Sequence, residues 1–167
     1  SWSNDNTAIG LGASGTGNVP SFLATNATTA PITGTITVTP TFKNGTSSCT
    51  GPAQTFTITV NPLGQVEDIT DQVVCNGSST ANVIFSTVNT GGTTSYSWTN
   101  SAPGIGLPAT GTGNIPFFTA LNAGTDPVIA TITVIPEYTN NFVSCTGPSK
   151  TFTITVNPTA NVVDPSN

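Results

Sequence analysis

Apolar residues alternate with threonines between Thr151 and Val156, where phenylalanine, isoleucine and valine stand at every second position. In a β-strand successive side chains point to opposite faces, so a period of two predicts a strand with one buried face. Asn157 and Pro158 follow. We expect the strand to end there because proline has no amide hydrogen to donate.

The same eight residues occur twice in this chain of 167 residues. Thr55–Pro62 is identical to Thr151–Pro158, and the two copies lie 96 positions apart. Residues 1–71 align with residues 97–167 without a gap and agree at more than half of the positions. A segment that recurs in this way indicates a tandem repeat.

The repeat predicts three domains. Residues 1–62 are interpreted as an incomplete repeat that lacks its first two strands, residues 63–158 as a complete repeat of about 96 residues, and residues 159–167 as the start of a following repeat. We expect the chain to be a window on a longer array. A unit of this length is large enough to fold alone.

The complete repeat contains about seven short strand patterns, separated by turn-forming residues. The strands are predicted at Val66–Val74, Ala81–Ser86, Ser95–Thr99, Ile105–Leu107, Pro116–Ala120, Val128–Val134 and Thr151–Val156. Turns are predicted at Cys75–Ser78 and Gly111–Asn114. Pro136 marks a strand end, a bulge or a sheet edge. This spacing indicates an all-β fold of tandem, immunoglobulin-like β-sandwich repeats.

Comparison of the two copies predicts which side chains face the core. Pro20, Phe22 and Ala24 of the first copy are unchanged in the second, whereas the residues between them differ, so the unchanged side is expected to be buried. The side chains predicted to face inward in the complete repeat are Ala81, Val83, Phe85, Trp98, Pro116, Phe118, Ala120, Ala130, Ile132 and Val134.

Composition argues against two classes of partner. Only 5% of the residues are charged, lysine and arginine together number 2, and the net charge is −5. Without a basic patch we expect no binding to nucleic acid or to an anionic membrane surface. No apolar run approaches the roughly 20 residues that span a bilayer, so the chain is not expected to be membrane-spanning.

Three cysteines are present, and they are too widely spaced for a zinc site. We predict that Cys75 and Cys145, the pair within the complete repeat, form a disulfide, which the chain-entropy account values at roughly 4 kcal/mol. Cys49 is the counterpart of Cys145 in the first copy and is predicted to be unpaired. The alternative is three free thiols.

Three carboxylates, Glu67, Asp68 and Asp71, cluster just after the first copy of the repeated strand. Clustered oxygen ligands at a junction between repeats could bind Ca²⁺. A junction site should recur, yet of its ligands only Asp68 has an acidic counterpart, Asp164, in the following repeat. A solvated acidic linker is the other interpretation, and it leaves the chain without a metal or other cofactor.

Catalysis is not expected from this composition. The chain has no histidine to act as a base, and its 7 acidic residues lie mostly near the predicted linkers. The Gly-Thr-Gly-Asn segments lack the lysine and the following helix of a phosphate loop. We therefore predict that the protein is not an enzyme.

Two aromatic residues stand where the first copy has small polar ones. Phe117 replaces Ser21 and Phe142 replaces Thr46, and Phe117 falls on the predicted outer face. Exposed aromatic rings can stack on glycans or contact another protein. Packing against a neighbouring unit or loop is the alternative.

Four motifs resemble a known family. They are DQVVCNG at Asp71–Gly77, SYSW at Ser95–Trp98, GTGNI at Gly111–Ile115 and TFTITVNP at Thr151–Pro158. The chain resembles the PKD-like, immunoglobulin-like repeats of very large Bacteroidetes surface proteins, including gliding-motility adhesins and other type IX secretion cargo. The resemblance implies an extracellular location, a β-sandwich with one disulfide per repeat, and a spacer, filament or adhesive role. It brings no catalytic residues.

The function expected from these observations is structural. The chain would be a disulfide-stapled segment of a long extracellular fibre or adhesin, with neighbouring repeats of the same chain or fibre as partners. One alternative is a glycan-binding module of a secreted protein. Another is a small subunit that polymerises by strand donation, with residues 159–167 as donor, because the first copy would expose a sheet edge and core.

Overall fold

The structure is a computed structural model that describes residues 1–161. Within this range the regular elements are β-strands and two single-turn 3₁₀ segments, Thr7–Ile9 and Pro103–Ile105, so the prediction of an all-β chain is confirmed. The strands form several sheets, consistent with a β-sandwich. Over the same residues no helix has the length and apolar character needed to cross a membrane.

The chain divides into two compact units. Unit 1 consists of Ser1–Leu63, Asn89–Thr93 and Thr139–Cys145, and unit 2 consists of Gly64–Val88, Thr94–Tyr138 and the residues from Thr146 onward. Two short segments of the predicted 63–158 domain therefore group with unit 1. Of the predicted third domain, residues 162–167 lie outside the described range, and its limits stay a prediction.

Unit 1 is built on a four-stranded antiparallel sheet. The strands of unit 1 are β1 (Trp2–Asn4), β2 (Ser14–Gly15), β3 (Ile32–Val38), β4 (Thr41–Asn44), β5 (Ser47–Thr50) and β6 (Gln54–Val60). The sheet has the order β2-β1-β3-β6, which leaves β6 at one edge, and β4 pairs with β5 as a separate hairpin. Trp2, Ile9, Leu11 and Ile36 form its buried core.

Unit 2 is built on a six-stranded sheet. Its strands are β7 (Gln72–Cys75), β8 (Thr93–Asn100), β9 (Thr110–Thr112), β10 (Val128–Asn140), β11 (Val143–Thr146) and β12 (Lys150–Asn157). One end of β8, one end of β10 and most of β11 belong to the segments grouped with unit 1. The order is β7-β12-β10-β8-β9, and β11 pairs with β10. β7 runs parallel to β12, whereas β10 and β12 are antiparallel.

The core of unit 2 lies between this sheet and two extended segments, 64–88 and 105–120. The sheet contributes alternate residues of β10 and β12, and the segments contribute Val66, Val83, Phe85 and Ile115 among others. Val83 and Ile115 join the two segments by reciprocal backbone hydrogen bonds of 2.8 and 3.0 Å. Burying a side chain of this size stabilises a fold by about 1.5–3 kcal/mol.

Most of the inward-facing predictions are confirmed. The buried residues among them are Val83, Phe85, Trp98, Ala120, Ala130, Ile132 and Val134, and Phe118 packs against the same core while partly buried. The predictions for Ala81 and Pro116 are wrong, since both residues are exposed, and Pro20 and Ala24 of the first copy are likewise exposed.

Three predicted strands are absent as regular strands from the described chain. Ala81–Ser86 and Pro116–Ala120 are extended segments with isolated bridges, at Val83–Ile115 and Ser79–Thr119, and the predicted strand Ile105–Leu107 instead begins at the end of a 3₁₀ turn. The first strand is also shorter than predicted, because only Gln72–Cys75 pairs with β12.

Side-chain hydrogen bonds explain why the bridged segments do not extend into a ladder. Asn82 Oδ1 accepts from the Phe117 amide at 2.7 Å, and Thr80 Oγ1 accepts from the Phe118 amide at 3.0 Å. Asparagine and threonine side chains that bond the backbone compete with regular strand pairing. The apolar alternation predicted the facing of these segments, but not this substitution of partners.

Pro136 and Gly111 also differ from expectation. β10 continues through Pro136 to Asn140, and the Pro136 carbonyl accepts from the Gly147 amide at 2.9 Å. Gly111 lies within β9 rather than in a turn, whereas Gly113 has the positive φ of +66° that a turn requires. The turn at Cys75–Ser78 is confirmed by a 3.0 Å backbone hydrogen bond between its ends.

One pair of strands has the same register in both sheets. β3 pairs with β6 from Ile32–Val60 to Val38–Gln54, and β10 pairs with β12 from Val128–Val156 to Val134–Lys150. Every pair of the second set lies 96 positions after a pair of the first. The alignment of the sequence therefore coincides with an alignment of backbone pairing.

Close packing of the Trp98 ring explains the glycine at position 111. A Cβ atom at Gly111 would lie 2.1 Å from Cζ2 of Trp98, and the tryptophan is buried. Gly15 and Trp2 of unit 1 have the same relationship, with 2.4 Å to the corresponding ring atom. Each glycine leaves room for an indole ring to lie flat on the neighbouring strand.

We expect Gly111→Ala to lower the free energy of unfolding by about 1–3 kcal/mol, because the buried ring must move to admit the methyl group. Gly104→Ala is the matched control, since a Cβ there meets nothing within 4 Å. Urea unfolding followed by tryptophan fluorescence measures both. Equal stabilities for the two variants would contradict the packing argument.

Candidate functional site

The three clustered carboxylates bind separate partners. Glu67 Oε2 accepts from the Ser86 hydroxyl, Asp68 pairs with Lys150, and Asp71 Oδ1 accepts from the backbone amide of Thr153 at 2.6 Å. Among residues 1–161 no three histidine, cysteine or acidic side chains converge as metal ligands. Asp164 lies outside the described residues. These contacts fit the use of carboxylates to tie loop 64–71 to the sheet.

Asp68 and Lys150 form an exposed ion pair in unit 2, with Nζ and Oδ1 2.5 Å apart. The hydrogen bond from Lys150, and then its positive charge, lower the pKa of Asp68 below the usual value for a carboxyl group. Both side chains are accessible to solvent, so the pair is screened and contributes little to stability.

The predicted disulfide between Cys75 and Cys145 is not formed in this structure, where all three cysteines are free thiols. Cys75 pairs in register with Asn157, beside the start of β10, whereas Cys145 lies on β11, which follows the end of β10. β10 has 13 residues and spans about 40 Å, far more than the Cα separation of about 7 Å that a disulfide tolerates. Cys49 is an exposed thiol on β5.

The two aromatic candidates, Phe117 and Phe142, are both exposed. Phe117 is 66% exposed and belongs to the bridged segment of unit 2, so its predicted outward facing is confirmed. Phe142 is 104% exposed and stands in the two-residue turn between β10 and β11. Phe117 belongs to unit 2 and Phe142 to unit 1, and the ring pair formed in the described chain is Phe85 with Tyr96.

The backbone at Phe142 is strained. Asn141 and Phe142 have φ values of +48° and +62°, in the left-handed region that favours glycine and asparagine. A two-residue hairpin turn with both φ values positive prefers Asn-Gly. The equivalent turn of the first repeat copy has Gly45 at +58° and Thr46 outside this region. Phe142 thus occupies a position that its side chain does not favour.

An apolar surface of unit 1 lacks cover. It consists of Phe56, Ile58 and Val60 on edge strand β6, together with Val19 and Phe22, which pack partly buried against the same core. We call these five residues the open face. In the described chain β6 pairs with β3 alone, so its other edge presents unpaired backbone groups.

Identical side chains are fully covered in unit 2. Phe56 is 46% exposed, whereas Phe152 is 2% exposed, and the partly buried Ile58 and Val60 correspond to Ile154 and Val156 at 0%. In unit 2 the segment 64–88 supplies β7 beside β12 and places Val66, Val83 and Phe85 over the core. Unit 1 has no described segment in that role.

The two tryptophans show the same contrast. Trp98 Nε1 donates to the carbonyl of Gly113 at 3.1 Å. Trp2 is as deeply buried, but its Nε1 has no hydrogen-bond partner. An unpaired buried donor is unfavourable, and such groups are rare in completed folds. Unit 2 also has a buried polar group without a partner, the Thr94 hydroxyl, so this difference between the units concerns the two indoles alone.

A cavity of about 460 Å³ lies against the open face within unit 1. Its apolar lining includes Ile58, Val60, Leu63 and Val143. In unit 2 the corresponding β12 residues contact Val74 of β7, which packs against the core. The same cavity is also lined by Asn140, Asn141 and Cys145 of the β10–β11 hairpin, so part of the space beside β6 already faces that hairpin.

The sequence predicted part of this surface. Aligning residues 1–62 with the complete repeat indicated two missing strands and an exposed sheet edge. The unpaired Trp2 indole and the strained Phe142 were missed. The first has no sequence signal, since Trp2 and Trp98 stand in similar local sequences, whereas the second could have been suspected from phenylalanine in a two-residue turn.

Comparison with known proteins adds no family assignment. Neither a scan of protein-family models nor a search of curated proteins found a match to this chain.

We expect Lys150→Met to raise the pKa of Asp68 toward its usual value, because the hydrogen bond and the charge that favour the carboxylate are removed. The native pair stabilises the fold above the pKa of Asp68 in the unfolded chain, and that contribution is lost as pH falls through the lowered folded pKa. Carboxyl ¹³C NMR across the acid range measures the shift. Lys43→Met removes the other basic side chain and should leave Asp68 unchanged.

We expect Phe142→Gly to raise the free energy of unfolding by up to about 1 kcal/mol, because strain at positive φ is relieved while the exposed ring loses no packing. Thr46→Gly is the matched control in the other hairpin, where φ is ordinary, and should be neutral or destabilising. Thermal unfolding of both variants provides the measurement. A loss of stability in Phe142→Gly would indicate that the ring makes a stabilising contact.

Proposed function

We propose that this chain is a structural, non-catalytic segment of a long extracellular fibre or adhesin built from tandem immunoglobulin-like β-sandwich repeats. The observation that carries the proposal is the shared register of β3–β6 and β10–β12 at an offset of 96 residues. Two copies of one pairing in one chain are what a repeat array requires, because each repeat folds around its own core.

Buried asparagines support the same proposal. Asn4 and Asn100 each donate from Nδ2 to a loop carbonyl seven residues later at 2.9 Å, on Leu11 and Leu107. Asn26 and Asn122 likewise donate at 2.8 Å to the final valine of β6 and of β12. These hydrogen bonds hold loops of corresponding position in both units without charged groups.

The strand arrangement of unit 2 suits a load-bearing role. β7 comes early in unit 2 and β12 late, and the two run parallel through four register pairs. Tension applied at the two ends of the unit would pull these strands along their length in opposite directions. The backbone hydrogen bonds between them would then be loaded together rather than broken one after another, which favours mechanical resistance.

The deciding measurement is the mass of the native polypeptide under reducing and denaturing conditions. A mass many times 16.8 kDa is expected if the chain belongs to a covalent array. A mass near 16.8 kDa would contradict the array and would leave a small protein whose open face must be covered by another molecule.

A glycan-binding module is the second candidate function, and the exposed ring of Phe142 is the observation that favours it. Aromatic rings on an exposed turn can stack on sugar rings. Glycan-array binding by the chain, lost in Phe142→Thr, would support this candidate. Phe142→Thr introduces the residue of the equivalent turn, so it preserves the local context.

A further inference from the structure

We infer that the open face of unit 1 is an acceptor groove for an extended peptide segment of the same pattern as Gly64–Val88. The partner is a segment of this pattern supplied by the repeat array proposed above, so the inference rests on that proposal. The segment would add a parallel strand to β6 and lay two or three apolar side chains over the core.

The acceptor residues are the same in both units. In unit 2, β7 pairs with β12 from Gln72–Ile154 to Cys75–Asn157. Ninety-six positions earlier, the β12 residues correspond to Ile58, Thr59, Val60 and Asn61, which are identical to them. Ile58, Thr59 and Val60 of β6 therefore present the side chains and the free strand edge that receive β7 in unit 2. The side chain of Asn61 instead donates to the carbonyls of Asn140 and Val143.

The second set of contacts that the covering segment makes in unit 2 also has counterparts in unit 1. In unit 2 the Val83 backbone pairs with Ile115, and the Phe85 amide donates to Asn114 Oδ1 at 2.9 Å. The counterparts of these acceptors in unit 1 are Val19 and Asn18. Asn18 is exposed and Val19 only partly buried, so both are accessible to an incoming segment.

Two observations indicate that this surface is suited to contact with a covering segment rather than with solvent. Phe56, Ile58 and Val60 have kept the apolar identities of their buried counterparts instead of becoming polar. The buried Trp2 Nε1 also lacks the acceptor that Trp98 finds on Gly113. In unit 2 the covering segment holds the Gly113 loop, because the Phe85 amide donates to Asn114 Oδ1. Gly17 is the counterpart of Gly113 in unit 1. We therefore expect a segment bound in the groove to bring the Gly17 carbonyl to Trp2 Nε1.

The test adds a synthetic peptide of residues 64–88, with Cys75 replaced by serine to prevent oxidation, to the full ¹⁵N-labelled chain. The two tryptophan indole N–H signals report on the two units separately. We expect saturable binding that shifts the Trp2 signal and leaves the Trp98 signal in place. Trp98 is thus an internal control for exchange of the peptide into unit 2.

A matched control peptide carries Val74→Ser, Val83→Ser and Phe85→Ser. Its affinity is expected to be weaker by about tenfold or more, because buried apolar anchors dominate such interfaces. Since these changes are in the peptide, they cannot unfold the protein. On the protein side, Val60→Thr should weaken binding of the unmodified peptide, and Val73→Thr, on an exposed side chain outside the groove, should not.

Absence of saturable binding, equal affinity for the two peptides, or a shift confined to Trp98 would each overturn the inference. These results are distinguishable from failure of the proposed function. A high native mass without peptide binding would retain the array and reject the groove. A native mass near 16.8 kDa with specific binding would support the groove. It would also show that the segment bound there does not come from a covalent array.

Discussion

Covering the apolar face of the last strand is the contact on which each unit depends. In unit 2 that face belongs to β12, and the segment 64–88 completes it with a parallel strand and three buried side chains. Unit 1 contains the same strand with the same residues but no described cover, and its apolar side chains are partly exposed as a result. The hydrophobic effect thus favours contact between the segment that begins a unit and the strand that ends it.

This dependence fits the proposed repeat array. In such an array the segment that begins each unit would cover the strand that ends it, as the segment 64–88 covers β12 in unit 2. The near absence of charge fits this role, since specificity can come from strand register and side-chain shape instead of ion pairs. Ordered threonine and asparagine side chains supply the polar contacts that charged residues provide in many other folds.

Asparagine side chains supply several of these polar contacts. Asn4, Asn26, Asn100 and Asn122 bond backbone carbonyl groups of loops and strand ends. A buried side-chain amide satisfies backbone groups without the large desolvation cost of a charge.

The sequence by itself determined the all-β class, the position of β12 and the buried faces of β10 and β12, because a period of two fixes the facing of residues in a paired strand. It did not determine the disulfide, the bridged segments around Val83 and Ile115, or the unpaired Trp2 indole. Those features depend on which distant residues meet: the sheet separates Cys75 from Cys145, and side-chain acceptors replace strand pairing. Tertiary structure decided them because local sequence carries no record of a partner far along the chain.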